Sequence, residues 1–150
     1  MKRKSLATME CPVAQTLERV GDRWTMLILR DAMKGKTRFD EFQRSMNVAP
    51  NILTGRLSNL VENGFLVRRR YSEHPPRDEY VLTDIGRDFQ SVVQAMIGFG
   101  NRNFSETSGS VTFVDTETGR EADPITVDRH TGEAISLPRF VLRSNESQVL

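Results

Sequence analysis

The stretch that decides the fold runs from Pro50 to Gly64 and reads PNILTGRLSNLVENG. Proline suits the first position of a helix and glycine the position just after its end, so the pattern predicts a helix that ends at Asn63. Its apolar residues recur at the three- and four-residue spacing of one buried helix face. They are Ile52, Leu53, Leu57, Leu60 and Val61. The opposite face holds mostly small or polar residues.

Three further helices are predicted upstream of this stretch. The first covers Cys11–Val20, and the second covers Arg23–Met33 with Asp22 as its N-cap. The third begins at a predicted N-cap, Thr37, and turns Phe39, Phe42 and Met46 inward. A short turn then leads into the stretch quoted above.

The sequence period changes downstream of Gly64. Residues 65–71 and 79–82 predict two strands, and the segment SEHPPR between them cannot be helical. A fifth, long helix follows, with Thr83 or Asp84 as its N-cap. The order of elements predicts an α+β, mainly α, fold: a winged helix-turn-helix with a three-helix core, a two-stranded wing and a long C-terminal dimerisation helix.

Beyond Ser105 the composition shifts to Thr, Ser, Gly and Asp. VDTETG at 114–119 and VDRHTG at 127–132 repeat one pattern, which is typical of a strand that enters a turn at a positive-φ glycine. Residues 139–142 could supply another strand. The prediction is a small appendage of duplicated β-hairpins over 105–150, and a disordered tail is the alternative.

The charge of the chain is unevenly distributed along these regions. The 150 residues carry a net charge of +1. Residues 1–104 hold 17 Lys and Arg against 12 Asp and Glu, whereas residues 105–150 hold 4 against 8. We therefore predict an N-terminal arm at 1–10, a basic winged helix at 11–104 and an acidic appendage. A basic domain suits a surface that meets phosphates.

Several classes of protein are excluded by composition. No apolar run is long enough to cross a bilayer, and the basic start of the chain lacks a signal-peptide core, so we expect a cytoplasmic protein and no membrane partner. One cysteine, Cys11, excludes an intrachain disulfide and a cysteine-based zinc site. His74 and His130 lie in separate predicted turns without a catalytic or metal-ligand pattern. No enzyme activity, metal or cofactor is expected.

Five ordered blocks of the sequence resemble the HxlR family of winged-helix regulators. They are CPVxxTLxxxGxRWxxLILR at 11–30, RFDEF at 38–42, APNILTxRLxxL at 49–60, GFLVxR at 64–69 and PPRxEYxLTxxG at 75–86. The two prolines and arginine followed by a tyrosine strand form the most specific block. The resemblance implies a cytoplasmic, homodimeric DNA-binding repressor or activator, and it does not extend over residues 105–150.

Sequence-specific binding of double-stranded DNA is predicted from the outer face of the helix at 50–63, because the major groove admits one helix with small or hydrogen-bonding side chains. Gly55 suits a close approach to DNA, although a plain surface glycine explains it as well. Arg56 could contact guanine or a phosphate, and a phosphate is favoured. The predicted DNA contacts are Lys36, Thr37, Arg38, Pro50, Asn51, Thr54, Gly55, Arg56, Ser58, Asn59, Arg68, Arg70, His74 and Arg77.

Supporting contacts are predicted from the start of the third helix and from the wing. At Thr37 and Arg38, backbone N–H groups, the helix dipole and a cation can converge on one phosphate. Arg68 and Arg70 share one face of a strand, and Arg69 takes the other. For each single charge, a solvated surface is the alternative.

The resemblance suggests that the first and fifth helices build a dimer interface, and the intramolecular core is the competing interpretation. The candidate interface residues are Val13, Leu17, Val92, Val93, Met96 and Phe99. Two modules related by a two-fold axis imply a pseudo-palindromic operator. The predicted function is transcription regulation, with repression favoured over activation. The alternative is a protein-interaction or architectural winged helix without specific DNA readout.

Cys11 is the candidate sensor. It lies at the start of the first helix, where the helix dipole favours a negative charge. Members of the similar family use a cysteine at this place to sense oxidants or electrophiles, and a buried inert cysteine is the alternative. An unidentified small effector could also bind near Trp24, Phe89 and Met96, for which helical spacing favours the core.

Overall fold

The first four helices begin and end close to where the sequence predicts them. The computed structural model describes residues 4–104, 106 and 109–143. Its helices are α1 Pro12–Val20, α2 Arg23–Met33, α3 Phe39–Met46, α4 Pro50–Glu62, α5 Asp84–Asp88 and α6 Gln90–Asn103. Its strands are β1 Leu66–Glu73, β2 Pro76–Leu82, β3 Phe113–Val114 and β4 Glu121–Ala122. The chain divides into two units, Met1–Val93 and Gln94–Leu150, so the division falls within α6, whereas the sequence places a boundary after residue 104.

The N-caps of α2 and α3 show how local hydrogen bonds set the helix starts. The Asp22 carboxylate accepts from the N–H groups of Trp24 (3.0 Å) and Thr25 (3.2 Å), which confirms its predicted role. The N-cap of α3 is Arg38, so the prediction of Thr37 was wrong. The reason is Glu41, whose carboxylate accepts from the N–H groups of Thr37 and Arg38, both at 2.9 Å, as an acidic residue does in a capping box.

The core of the first unit centres on α4. Leu53, Leu57 and Leu60 form its inner face and are fully buried, and Phe42 of α3 is fully buried as well. Ile52 was predicted to join them but is 38% exposed, because it lies at the edge of this stripe, one helical step of about 100° from Leu53. The helix therefore turns a narrow apolar face to the core and leaves the rest of its surface outside.

The wing is longer than the sequence predicts. β1 and β2 pair antiparallel from Leu66 opposite Leu82 to Glu73 opposite Pro76, which leaves only His74 and Pro75 in the turn. Extended backbone accommodates a proline as the first residue of a strand, so Pro76 does not end the pairing. The N–H of Tyr80 donates to the carbonyl of Thr37 at 2.7 Å, which joins the wing to the segment just before α3.

The predicted fifth helix is two helices. Thr83 is the N-cap of α5, because its hydroxyl accepts from the N–H of Gly86 at 3.1 Å. Gly86 is required at this place, since a Cβ there would lie 2.2 Å from the carbonyl oxygen of Phe65. The chain turns at Phe89, whose buried ring packs edge-on against Phe65 with centroids 5.6 Å apart, and α6 follows. The continuous apolar pattern of the sequence conceals this break.

The N-terminal arm contacts α1 where the structure describes it. The Ser5 hydroxyl and the Leu6 N–H donate to the Glu18 carboxylate at 2.7 and 2.8 Å. The Gln15 side chain donates to the carbonyl groups of Ala7 and Met9, both at 2.9 Å. The segment 5–9 is therefore held by hydrogen bonds to α1, and residues 1–3 of the predicted arm lie outside the described residues.

The second unit contains the duplicated hairpins that the repeat predicts. In the first, β3 pairs with β4, and the N–H of Gly119, at φ 71°, donates to the carbonyl of Asp115 at 2.8 Å. In the second, the N–H of Gly132, at φ 73°, donates to the carbonyl of Asp128 at 2.7 Å. A single antiparallel bridge between Val127 and Ala134 joins the two arms of this hairpin. The equivalent residues thus make equivalent turns.

The strand predicted at Arg139–Leu142 was wrong. The N–H of Phe140 donates to the carbonyl of Ser136 at 3.1 Å, which closes a turn around Pro138 instead of a strand pair. Proline has no N–H to give to a ladder, so a turn is the better use of this segment. Residues 105, 107, 108 and 144–150 of the predicted appendage lie outside the described residues.

Candidate nucleic-acid interface

The outer face of α4 carries a band of small and polar side chains. Asn51, Thr54 and Ser58 are exposed, and Asn59 is half-buried. The Thr54 hydroxyl donates to the carbonyl of Pro50 at 2.9 Å, so its oxygen lone pairs can accept from a partner. A Cβ on Gly55 would meet nothing within 4 Å, so packing within the chain does not require glycine there. The band suits a surface that another molecule approaches closely.

Arg56 lies differently from its prediction. Its Nε is 3.0 Å from the Asp22 carboxylate that caps α2, and its side chain is 40% exposed. The arginine therefore ties α4 to the start of α2 and is not a free cation on the outer face. Sequence spacing could not show this pair, because the two residues come from different helices.

The start of α3 offers fewer free groups than the sequence predicts. The backbone N–H groups of Thr37 and Arg38 both donate to Glu41, so they are not available to a phosphate as predicted. These two hydrogen bonds, with the nearby arginines, hold the pKa of Glu41 below its usual value. The guanidinium of Arg38 lies 4.7 Å from the ring centroid of Tyr71. Arg38 is exposed, so its guanidinium places a positive charge at the start of α3, beside the wing.

The wing arginines are paired across the hairpin. Arg68 and Arg70 share one face as predicted, and their Nε atoms lie 2.9 and 3.0 Å from the Asp78 carboxylate. Arg69 is on the other face, 3.0 Å from Glu79. These hydrogen bonds lower the pKa values of Asp78 and Glu79. Arg70 also lies 3.6 Å from the Glu73 carboxylate, so the two arginines of this face are matched by two acidic residues.

The tip of the wing carries exposed charge. His74 and Arg77 are both exposed on either side of the two prolines. Arg77 has no ion pair within the described part of the chain. Arg77 thus provides a charge at the end of the wing that none of the described carboxylates neutralises.

The candidate dimer residues divide into exposed and buried groups. Val13 and Leu17 are 66% and 43% exposed on α1. On α6, Val92, Met96 and Phe99 are also exposed. Val93 is 5% exposed, so its assignment to an interface was wrong: it lies one helical turn beyond Phe89 and belongs to the core. The competing interpretation therefore holds for Val93.

A groove of about 400 Å³ lies between α1 and the α5–α6 turn. Phe65, Ile85, Phe89 and Val92 supply its apolar lining, and Arg19 is among its polar residues. Of the three predicted effector residues, Phe89 lines the groove. Trp24 instead lies beneath the guanidinium of Arg23, 5.3 Å from its ring centroid, and Met96 is exposed on α6. Effector binding stays a prediction.

Cys11 is the N-cap residue of α1 and is half-buried with a free thiol. Its carbonyl accepts from the N–H of Gln15 at 2.9 Å, and its side chain makes no capping hydrogen bond. Among the described residues, no group of three or more His, Cys, Asp and Glu side chains could hold a metal ion. Within the same residues, no helix is long and apolar enough to span a membrane.

Two acidic residues that the sequence analysis did not single out belong to this region. Glu41 occupies the third position of α3, the acidic position of a capping box, so its spacing from Arg38 was a usable signal. Asp31 is fully buried on α2. Asp31 follows Leu27 by four residues and Ile28 by three, which places an acidic residue on the apolar face of the helix. This position was the feature of the sequence that could have identified it.

Together, α3, the turn after it, α4 and the β1–β2 hairpin form a winged helix-turn-helix, the architecture of a class of DNA-binding regulators. The family profile described as HxlR-like helix-turn-helix matches residues 19–108. The chain belongs to this family of transcriptional regulators, whose members are not enzymes.

Relatives support the same assignment. The uncharacterized HTH-type transcriptional regulator Rv3095 of Mycobacterium tuberculosis is 38% identical over 125 residues, which cover 83% of this chain and 79% of that protein. The crystal structure of PA1607, provisionally described as a transcription factor, has a TM-score of 0.82 at 35% identity and covers 93% of this chain and 99% of its own. The oxidized redox regulator HypR has a TM-score of 0.58 at 35% identity, covering 62% of this chain and 97% of its own.

Proposed function

We propose that this regulator is a sequence-specific repressor that binds a pseudo-palindromic operator as a homodimer. The observation that carries the proposal is the division of α4 into two faces. Its leucines are fully buried, whereas Asn51, Thr54 and Ser58 are exposed beside a glycine with open space around it. Such a face can enter the major groove and form hydrogen bonds with base edges.

The exposed apolar residues of α1 and α6 support the dimer. Val13 and Leu17 stand one turn apart on α1, and Val92, Met96 and Phe99 recur along α6. A single module buries too little surface for a specific site, so a second copy improves both affinity and specificity. We place this regulator in the cytoplasm, where the operator would be.

An operator-binding experiment tests the reading face. We expect Asn51→Ala to weaken specific binding about 5- to 150-fold and to leave binding to random duplex nearly unchanged, because base contacts carry about 1–3 kcal/mol of discrimination. Glu62→Gln at the other end of α4 is the control, with no loss expected. The measurement is a gel shift on the genomic fragment with the highest occupancy, repeated over a salt titration.

The alternative function, a protein-interaction winged helix, has one observation in its favour. All three consecutive wing arginines are paired with Asp78 or Glu79, which reduces the charge available to DNA. The same gel shift separates the two functions. A protein-interaction winged helix would bind all DNA fragments alike, and Asn51→Ala would not lower its affinity for any of them.

We further propose that Cys11 makes operator binding redox-responsive. HypR, a redox regulator, and YodB, a transcriptional regulator solved in reduced and diamide-treated forms, have similar structures. This chain has one cysteine, so the response requires an intersubunit disulfide, a mixed disulfide or alkylation. Operator affinity of wild type and Cys11→Ser is compared with and without diamide. Identical responses would remove the sensor role.

A further inference from the structure

A fully buried carboxylate lies next to the predicted phosphate contacts. Asp31 on α2 is 0% exposed, and its Oδ1 accepts from the Nε and Nη2 atoms of Arg30 at 3.0 and 2.8 Å. Its Oδ2 has no hydrogen bond within the described residues and lies 3.8 Å from the Nζ of Lys36. A buried carboxylate is unfavourable unless charges surround it, so its place between two cations calls for a reason.

Asp31 also holds the turn that carries Lys36. Its backbone carbonyl accepts from the N–H groups of Lys34 and Lys36, both at 3.1 Å. The backbone of Lys36 is thus hydrogen-bonded to the same residue whose carboxylate lies near its ammonium. The side chain of Lys36 is 29% exposed and reaches an open depression that Glu41, Arg44 and Ser45 also line. The ammonium therefore combines a fixed position with access to the surface.

We propose that Asp31 is a positioning residue for phosphate binding, and that it holds Lys36 ready to contact the DNA backbone beside α3. Arg30 and Lys36 both face the one carboxylate of Asp31, so neither cation has a carboxylate to itself there. At 3.8 Å, the ammonium has no direct hydrogen bond to Oδ2, so its donors can turn to a phosphate oxygen. A lysine already held in place loses less conformational freedom on binding. The inference rests on the proposed DNA binding.

The sign of the effect distinguishes positioning from simple charge. Removing a carboxylate raises the net charge, which by itself strengthens binding to phosphates. Positioning predicts the opposite for Asp31→Asn: operator affinity falls at least about fivefold, and the slope of log affinity against log salt becomes shallower by about one contact. Asp40→Asn is the matched control, because Asp40 is an exposed carboxylate of α3 that pairs only with Arg44 within the described residues. It makes the same charge change, and we expect equal or tighter binding with an unchanged slope.

A double-mutant cycle tests whether Asp31 acts through Lys36. We expect Lys36→Gln to lower the slope by about one contact, and Asp31→Asn to add almost no further loss in the Lys36→Gln background. A merely structural role would lower the melting temperature and the active fraction without moving the slope. Asp31→Glu, which keeps the charge and shifts it by one methylene, is measured in the same cycle and replaces Asp31→Asn if that variant does not fold.

The outcomes separate this inference from the proposed function. Unchanged or tighter binding of Asp31→Asn, or losses that add independently of Lys36, would overturn the positioning role while DNA binding itself stands. Independent losses for Asp31→Glu would overturn it in the same way. A wild-type protein that prefers no fragment and has no salt-dependent binding would overturn the proposed function, and the inference with it.

Discussion

The winged helix and the duplicated hairpins hold their backbones by different means. In α4, Leu53, Leu57 and Leu60 are fully buried, so packing holds the helix. In the hairpins, Val114 and Val127 are 50% and 46% exposed, and the turns are closed by hydrogen bonds between near neighbours. One region is therefore stabilised by burial and the other by local turn geometry, and the two should respond differently to the same kind of substitution.

The largest expected effect tests the packed region. Leu57→Ala should lower the free energy of unfolding by about 3 kcal/mol, because it removes a fully buried side chain and leaves a cavity. Urea unfolding followed by the fluorescence of Trp24, the single tryptophan, measures the loss. Hydrogen exchange at Gly119 and Gly132 should stay unchanged. Equal loss of protection in the hairpins would show that the two regions do not differ as described.

The next effect separates stability from function within the packed region. Gly55→Ala should raise the free energy of unfolding by up to about 1 kcal/mol, because alanine favours a helix and has open space there. Operator affinity should fall about tenfold if the backbone approaches DNA closely, since a methyl group then intrudes. Gly100→Ala on α6 is the control for helix stabilisation alone. Unchanged affinity would make Gly55 a plain surface glycine.

A smaller effect tests the hairpins. Gly119→Ala should destabilise the first hairpin by about 1 kcal/mol, because a residue with a Cβ is strained at φ 71°. Hydrogen exchange should accelerate around Asp115, and the urea midpoint reported by Trp24 should not move. Gly132→Ala provides the matched variant in the second hairpin. A shift in the Trp24 midpoint would show that the hairpins support the packed region.

The smallest effect is a pH dependence confined to surface carboxylates. Arginine hydrogen bonds lower the pKa of Asp78 in the wing, and backbone and threonine hydrogen bonds lower that of Asp115 in the first hairpin. Because each folded-state pKa is depressed, the stabilisation is complete above the unfolded value of about 3.9 and is lost as the pH falls through the folded value. Protection of the wing amides, corrected for the intrinsic pH dependence of exchange, should fall as the pH falls, and Asp78→Asn should flatten that response. If Asp78→Asn lost protection in the wing at low pH as much as the wild type does, the pH dependence would belong to other titrating groups.

Helices that are specified by residue spacing and by capping residues could be predicted from the sequence. Side-chain contacts between different elements could not. The bounds of α2 and its Asp22 cap follow from residues close together in the chain. Arg56 was predicted to lie free on the outer face of α4, because residue spacing could not reveal its ion pair with Asp22 at the start of another helix. Val93 was assigned to an interface because an amphipathic pattern does not say whether the same chain or a second copy covers it.

The repeated turns at 114–119 and 127–132 were also predictable from the sequence, because each is specified within a few residues. VDTETG and VDRHTG specify turns through the Asp side chain and the glycine conformation, which need no distant contact. The wing was predicted too short, since prolines in its sequence suggested a loop. Only the pairing of Glu73 with Pro76 shows that the strands continue to a two-residue turn.

The length of the wing sets how far along a duplex one copy of the chain can reach. The eight residues of β1 span about 23 Å at the rise of an antiparallel strand. On B-DNA, with a rise of 3.4 Å for each base pair, that distance corresponds to roughly seven base pairs. Arg77 and His74, at the far end, would then lie over a part of the duplex that α4 itself does not touch. In the proposed complex, we therefore expect a protected segment longer than the stretch of bases that faces α4.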